Sequence, residues 1–151
     1  MSSSERTVLA TFCDDIRYEQ GNKHSLMGCY KSDLVVEKLP AGLPKLCAAI
    51  LVMTPLDRLF TKLTVRAMLD DEILGEEVLT QDQLERSQDE LLRHPLPGMK
   101  RLGIQLHMVF SPFMISQPGL LKIEAETEEG LLNGGILAIR ARENSANSVH
   151  S

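Results

Sequence analysis

An all-β fold, an antiparallel β-sandwich carrying one short helix around residues 81–92, follows from three features of the chain. Apolar residues recur with a period of two over most of its length. Turn-forming residues punctuate those runs at short intervals, and no helix–strand alternation accompanies them. One stretch alone, after Thr80, carries the signals of a helix start.

The elements follow in order. Val8–Cys13 and Lys23–Tyr30 form the first predicted strands, with Gly21-Asn22 between them supplying the positive φ of a type II′ turn. Leu34–Glu37 and the apolar run Leu46–Met53 come next. Leu63, Val65, Ala67 and Leu69 then alternate with Lys62, Thr64, Arg66 and Met68, and Asp70-Asp71-Glu72 turns the chain tightly into Ile73–Leu79. Thr80-Gln81-Asp82-Gln83 matches a capping box, with Thr80 as N-cap and Gln83 reaching back. Leu84, Leu91 and Leu92 supply a narrow apolar face, and His94-Pro95-Leu96-Pro97-Gly98 ends the helix.

Beyond it, Leu102, Ile104, Leu106, Met108 and Phe110 form the clearest alternating strand. Pro118-Gly119 suits a type II turn before Leu121–Thr127, in which Leu121, Ile123, Ala125 and Thr127 share a face. Glu128-Glu129-Gly130 closes a hairpin, and Gly134-Gly135 reads as a bulge in the return strand that ends at Ile136–Arg142. Residues 1–142 are expected to form a single domain, and residues 143–151 a polar tail. A chain of 151 residues is long enough for one buried core.

Composition narrows function mainly by exclusion. With 16 Lys+Arg against 21 Asp+Glu the net charge is −5, which argues against binding nucleic acid by general phosphate neutralisation. Aromatic residues reach 4% and Trp is absent, so stacking platforms for bases or sugars are poorly supplied. The longest apolar run, Leu46–Met53, is far short of the ~20 residues of a membrane span. No basic region followed by a long apolar stretch opens the chain, and the cysteines at 13, 29 and 47 are an odd set without C-x-x-C spacing. Reduced thiols in a cytoplasmic protein are the expectation.

Two clusters stand out as candidate binding residues. Asp14 and Asp15, followed by Arg17 and Glu19, gather charge at a strand end, and paired carboxylates can hold a divalent cation. No D-x-[DN]-x-[DN]-G loop occurs, so the plainer expectation is that one aspartate caps turn N–H groups while Arg17 pairs with the other. Glu124 and Glu126, continued by Glu128 and Glu129, form an acidic outer strand face that would attract a basic partner. The histidines at 24, 94, 107 and 150 have no zinc-hydrolase spacing and read as ordinary solvated side chains. No serine elbow or phosphate loop is present, so no catalytic residue, metal or cofactor is expected.

The run Phe12-Cys13-Asp14-Asp15-Ile16-Arg17, with Glu19, Gly21, Lys23, Ser25 and Gly28 after it, resembles a bacterial and phage family of unknown function. Phe113, Ile115, Pro118-Gly119 and the acidic turn at Glu128-Glu129-Gly130 extend the resemblance to the later half. It implies a small β-sandwich from bacterial genomes and prophages, with the helix near Gln81–Leu92 as an insertion, and brings no activity, cofactor or partner. The functional expectation is a non-enzymatic module acting through protein–protein contacts, by a sheet edge or the acidic face, with a homodimer as one form. The competing classes are a metal-dependent enzyme built on Asp14 and Asp15, and a phage effector that binds and inhibits a host protein.

Overall fold

The computed structural model describes residues 5–142. It contains strands β1 (Thr7–Glu19), β2 (Lys23–Cys29), β3 (Asp33–Val36), β4 (Ala41–Leu43), β5 (Leu46–Pro55), β6 (Leu63–Leu69) and β7 (Glu72–Leu79). Helix α1 (Gln81–Leu92) follows, then β8 (Arg101–Phe110), β9 (Phe113–Ile115), β10 (Gly119–Thr127) and β11 (Gly130–Ala141). The polar tail expected at 143–151 lies outside the described residues.

Two sheets carry the fold. One has four strands in the order β2-β1-β5-β8, the other five in the order β3-β11-β10-β6-β7. Alternate residues of the central strands turn inward, so Leu46, Ala48, Ile50 and Val52 of β5 share one core with Leu63, Val65 and Ala67 of β6 and with Leu121, Ile123 and Ala125 of β10. The expected all-β sandwich with one short helix is the architecture found. One pairing is parallel: β3 lies beside β11, from Asp33–Ala138 to Val36–Ala141. It does so because the chain crosses to the other sheet after β2 instead of returning beside it.

Helix α1 has the expected bounds and the expected capping box. Gln83 N–H donates to Thr80 Oγ1 at 3.2 Å, and Thr80 N–H donates to Gln83 Oε1 at 2.9 Å. Its inner face differs from expectation. Leu84 is buried, but Gln88 takes the next inward position and Leu91 is 43% exposed. Gln88 is tolerated there because Oε1 accepts from Phe60 N–H at 2.8 Å while Nε2 donates to Phe60 C=O at 2.9 Å. That clamp satisfies two buried backbone groups of the loop between β5 and β6.

The turns also refine the expectations. Gly21 and Asn22 both have positive φ, whereas a type II′ turn needs it at one position only. Gly119 does not take the positive φ of a type II turn; it begins β10, and Asp70 Oδ1 accepts from Leu120 N–H at 3.1 Å beside it. The bulge at Gly134-Gly135 is present as a register shift, with Lys122 opposite Ile136 but Glu124 opposite Asn133. The short β4–β9 pair escaped the period-two pattern, since three residues are too few to show alternation.

The largest departure is in β1, which continues to Glu19 instead of stopping at Cys13. Cys13 and Ile16 are three apart and would face opposite ways in an unbroken strand, yet both join one small cluster with Cys47, Leu26 and Ala49. Alternation therefore slips at Asp14-Asp15. From that slip the β1–β2 hairpin folds as an arm across the outer face of its own sheet, which brings Tyr18 and His24 to His107 of β8 although β5 lies between.

Candidate functional site

The paired aspartates sit at the root of this arm and do not converge. Asp14 is exposed and accepts a hydrogen bond from Tyr30 Oη at 2.6 Å, over the backbone of Gly28. Burial, then the Asp14 contact, pushes the Tyr30 hydroxyl up to about 12. Asp15 pairs with Lys45 Nζ at 2.9 Å, and that hydrogen bond holds its carboxyl below the usual range. Arg17 is exposed and pairs with neither aspartate among the described residues. Each carboxylate thus serves a local structural partner. Among the described residues no three His, Cys, Asp or Glu side chains come together to hold a metal ion.

Under the arm lies a small cleft of about 200 Å³, lined by Leu9, Thr11, His24, Leu26, Ala49, Leu51, Gln105 and His107. Tyr18 Oη and His107 Nδ1 are hydrogen-bonded at 2.8 Å, and the His24 and His107 rings meet edge to face at 4.9 Å. Burial, followed by the neighbouring His24, lowers the His107 pKa. The sequence held one signal for this cluster: Tyr18 and His24 are equidistant from Gly21, so the hairpin sets them opposite each other. Their meeting with His107 depends on the slip and was not readable.

Of the predicted acidic face, Glu124 and Glu126 occupy the outer face of the five-stranded sheet, but they are not a bare negative surface. Glu126 pairs with Lys62 Nζ at 2.6 Å and Arg66 Nη2 at 2.8 Å, the first of which holds its carboxyl below the usual range. Arg66 also pairs with Glu76 at 2.6 Å, and Glu124 stands opposite Arg66 in the register. Cross-strand rows follow from the pairing: Val78–Thr64–Glu126–Leu131, then Glu76–Arg66–Glu124–Asn133, then Ile73–Met68–Lys122–Ile136. Leu120 and Val35 extend the same face. A charge lattice of both signs is therefore flanked by Val35, Ile73, Val78, Leu120, Leu131 and Ile136, each 44–58% exposed.

At the end of this sheet, Glu128 turns away from the face to a buried partner. Arg6 Nη2 and Glu128 Oε2 are 2.5 Å apart, and the Arg6 side chain is only 2% exposed. The guanidinium stacks 4.5 Å over the Phe60 ring, donates to Thr54 Oγ1 at 2.9 Å and to Arg58 C=O at 2.9 Å. Glu128 also accepts from Thr61 N–H and Lys62 N–H. Burial alone would raise its carboxyl; Arg6 and these backbone donors outweigh burial and hold it at about 2. Glu129 pairs with Arg58 at 2.9 Å.

Among the described residues no helix is long and apolar enough to cross a membrane. No curated protein and no solved structure matches the chain. Residues 8–140 match the model of a family described as Family of unknown function (DUF6941), and the chain belongs to that family.

Proposed function

We propose that this member of a family of unknown function is a non-enzymatic interaction module, and that the partner on the outer face of its five-stranded sheet is a second copy of the chain. One observation carries the proposal: six large aliphatic side chains stand about half exposed on one sheet face. Single exposed aliphatics are ordinary, whereas a group of them on one face marks a contact surface. The charges among them come in both signs and Glu126, Arg66 and Glu76 are paired within the chain. A surface neutralised in this way gains little from a basic partner but meets its own copy, about a two-fold axis, without net repulsion.

The metal-enzyme alternative draws less support, because Asp14 and Asp15 are engaged by Tyr30 and Lys45. A cytoplasmic setting is in keeping with three cysteines that stay free. The experiment is a light-scattering mass of the wild type at tens of micromolar against a Leu120→Asp/Ile136→Asp variant, with circular dichroism to show that both fold. A dimeric wild type and a monomeric variant are expected. A monomeric wild type would overturn self-association and leave the face to a different protein, the effector reading included. A dimer untouched by the double substitution would move the contact elsewhere.

A further inference from the structure

The three cysteines are far apart in sequence yet lie side by side across three neighbouring strands. Cys13 is the register partner of Cys29 on β2 and of Cys47 on β5. Directly opposite residues of antiparallel strands place their side chains on the same face, so both neighbours approach Cys13 from its own side of the sheet.

The two pairs are not equivalent. A residue in an antiparallel strand aims its N–H and C=O at one neighbour, so it is hydrogen-bonded to that side and only faces the other. Tyr30 N–H donates to Phe12 C=O at 2.8 Å, which makes Phe12–Tyr30 a hydrogen-bonded pair between β1 and β2. The next pair along, Cys13–Cys29, is then of the non-hydrogen-bonded kind, and Cys13–Cys47 of the hydrogen-bonded kind. Non-hydrogen-bonded partners have Cα atoms about 4.5 Å apart against about 5.5 Å, with side chains closer as well. A disulfide needs Cβ atoms about 3.5–4.5 Å apart, which favours the closer pair. Cys29 is also the exposed member, while Cys13 and Cys47 are buried.

We infer that Cys29 and Cys13 are an oxidant-responsive thiol pair, closed by a peroxide into a cross-strand disulfide at the root of the hairpin arm, with Cys47 left as a thiol. The Cys29 thiolate attacks one peroxide oxygen, the O–O bond breaks, and Cys29 becomes a sulfenic acid as one water leaves. The Cys13 sulfur then attacks the Cys29 sulfur, the S–O bond breaks, and the Cys13 proton departs with the hydroxyl as a second water. Two thiols and one hydrogen peroxide give one disulfide and two waters, both electrons passing to the peroxide. Burial, with Cys47 and Cys29 beside it, pushes the Cys13 thiol up to about 11, which suits it to the second step and not the first. The bond would tie β1 to β2 immediately before the slip at Asp14-Asp15 and so restrict the arm.

The test treats the full chain with hydrogen peroxide, alkylates the remaining thiols with iodoacetamide and maps tryptic peptides without reduction. The expected product links the Thr7–Arg17 peptide to the His24–Lys31 peptide and leaves Leu46–Arg58 alkylated, so that titratable thiols fall from three to one. Cys47→Ser should still form the link, and Cys29→Ser, altered at an exposed position, should keep both of its thiols. A link to Leu46–Arg58 would overturn the inference. So would Cys29 cross-links between chains, a Cys29 sulfinic acid beside an alkylated Cys13, or three unreacted thiols.

Discussion

Arg6 is a long cationic side chain almost withdrawn from water, and it is tolerated because its guanidinium meets a ring, carbonyls, a hydroxyl and a carboxylate, with Nη1 alone left without a hydrogen bond among the described residues. Removing it leaves Glu128 to bear its own desolvation without a counter-charge. Arg6→Ala is expected to cost about 3 kcal/mol in denaturant unfolding, the low end of the range for a broken buried pair because Glu128 keeps some contact with solvent. The pH dependence follows from Glu128, whose carboxyl is held at about 2 against an ordinary 4.5. A depressed folded value contributes stability that is complete above about 4.5 and lost as pH falls from there toward 2. Thermal melts should show that acid loss in the wild type, and Glu128→Gln should flatten it while melting lower at pH 7. None of this was legible in the sequence. Thr54 lies 48 residues from Arg6, and alternation assigned Glu128 to the outer acidic face when it belongs to the turn that closes on Arg6.

Elements were legible where their determinants are local. The capping box of α1 spans four residues and needs nothing else, so the helix start could be read directly. Its inward face depends on what it packs against, and Gln88 is inward only because Phe60 offers an N–H and a C=O to it. In β1 the strand was read as far as Cys13, but its continuation was hidden by the slip at Asp14-Asp15, where period two fails. Two glycines of this arm separate backbone from packing. Gly21 has φ +82 with open space where a Cβ would stand, whereas Gly28 has φ +66 and the Asp14 carboxylate occupies that place. Gly21→Ala should cost about 1–2 kcal/mol, the left-handed penalty alone. Gly28→Ala should cost clearly more, since Asp14 must move and the Tyr30 bond with it. Chemical denaturation of the two variants side by side reads the difference; equal losses would mean that the Asp14–Tyr30 contact contributes little to holding the arm.

At the scale of the whole molecule, the two outer sheet faces are treated differently. The four-stranded sheet is partly covered by its own arm, while the five-stranded sheet leaves aliphatic side chains open around a charge lattice. The outward glutamates of β10 were legible, because alternation within a strand is local. Their neutralisation was not, because Lys62, Arg66 and Glu76 reach them only through the strand order β10-β6-β7. That neutralisation decides how the proposed dimer should respond to salt. Exposed pairs are each worth under about 1 kcal/mol and are already formed within each chain, so screening removes little from the contact between chains. Sedimentation between 50 and 500 mM salt should therefore change the dimer dissociation constant by no more than about threefold. Glu124→Lys/Glu126→Lys should behave otherwise. It sets new cations beside Lys62, Arg66 and Lys122, gives each copy a positive centre, and should weaken the dimer at low salt with partial recovery as salt screens the repulsion. A wild-type dimer that dissociated steeply with salt would mean that the lattice, and not the aliphatic flanks, holds the copies together.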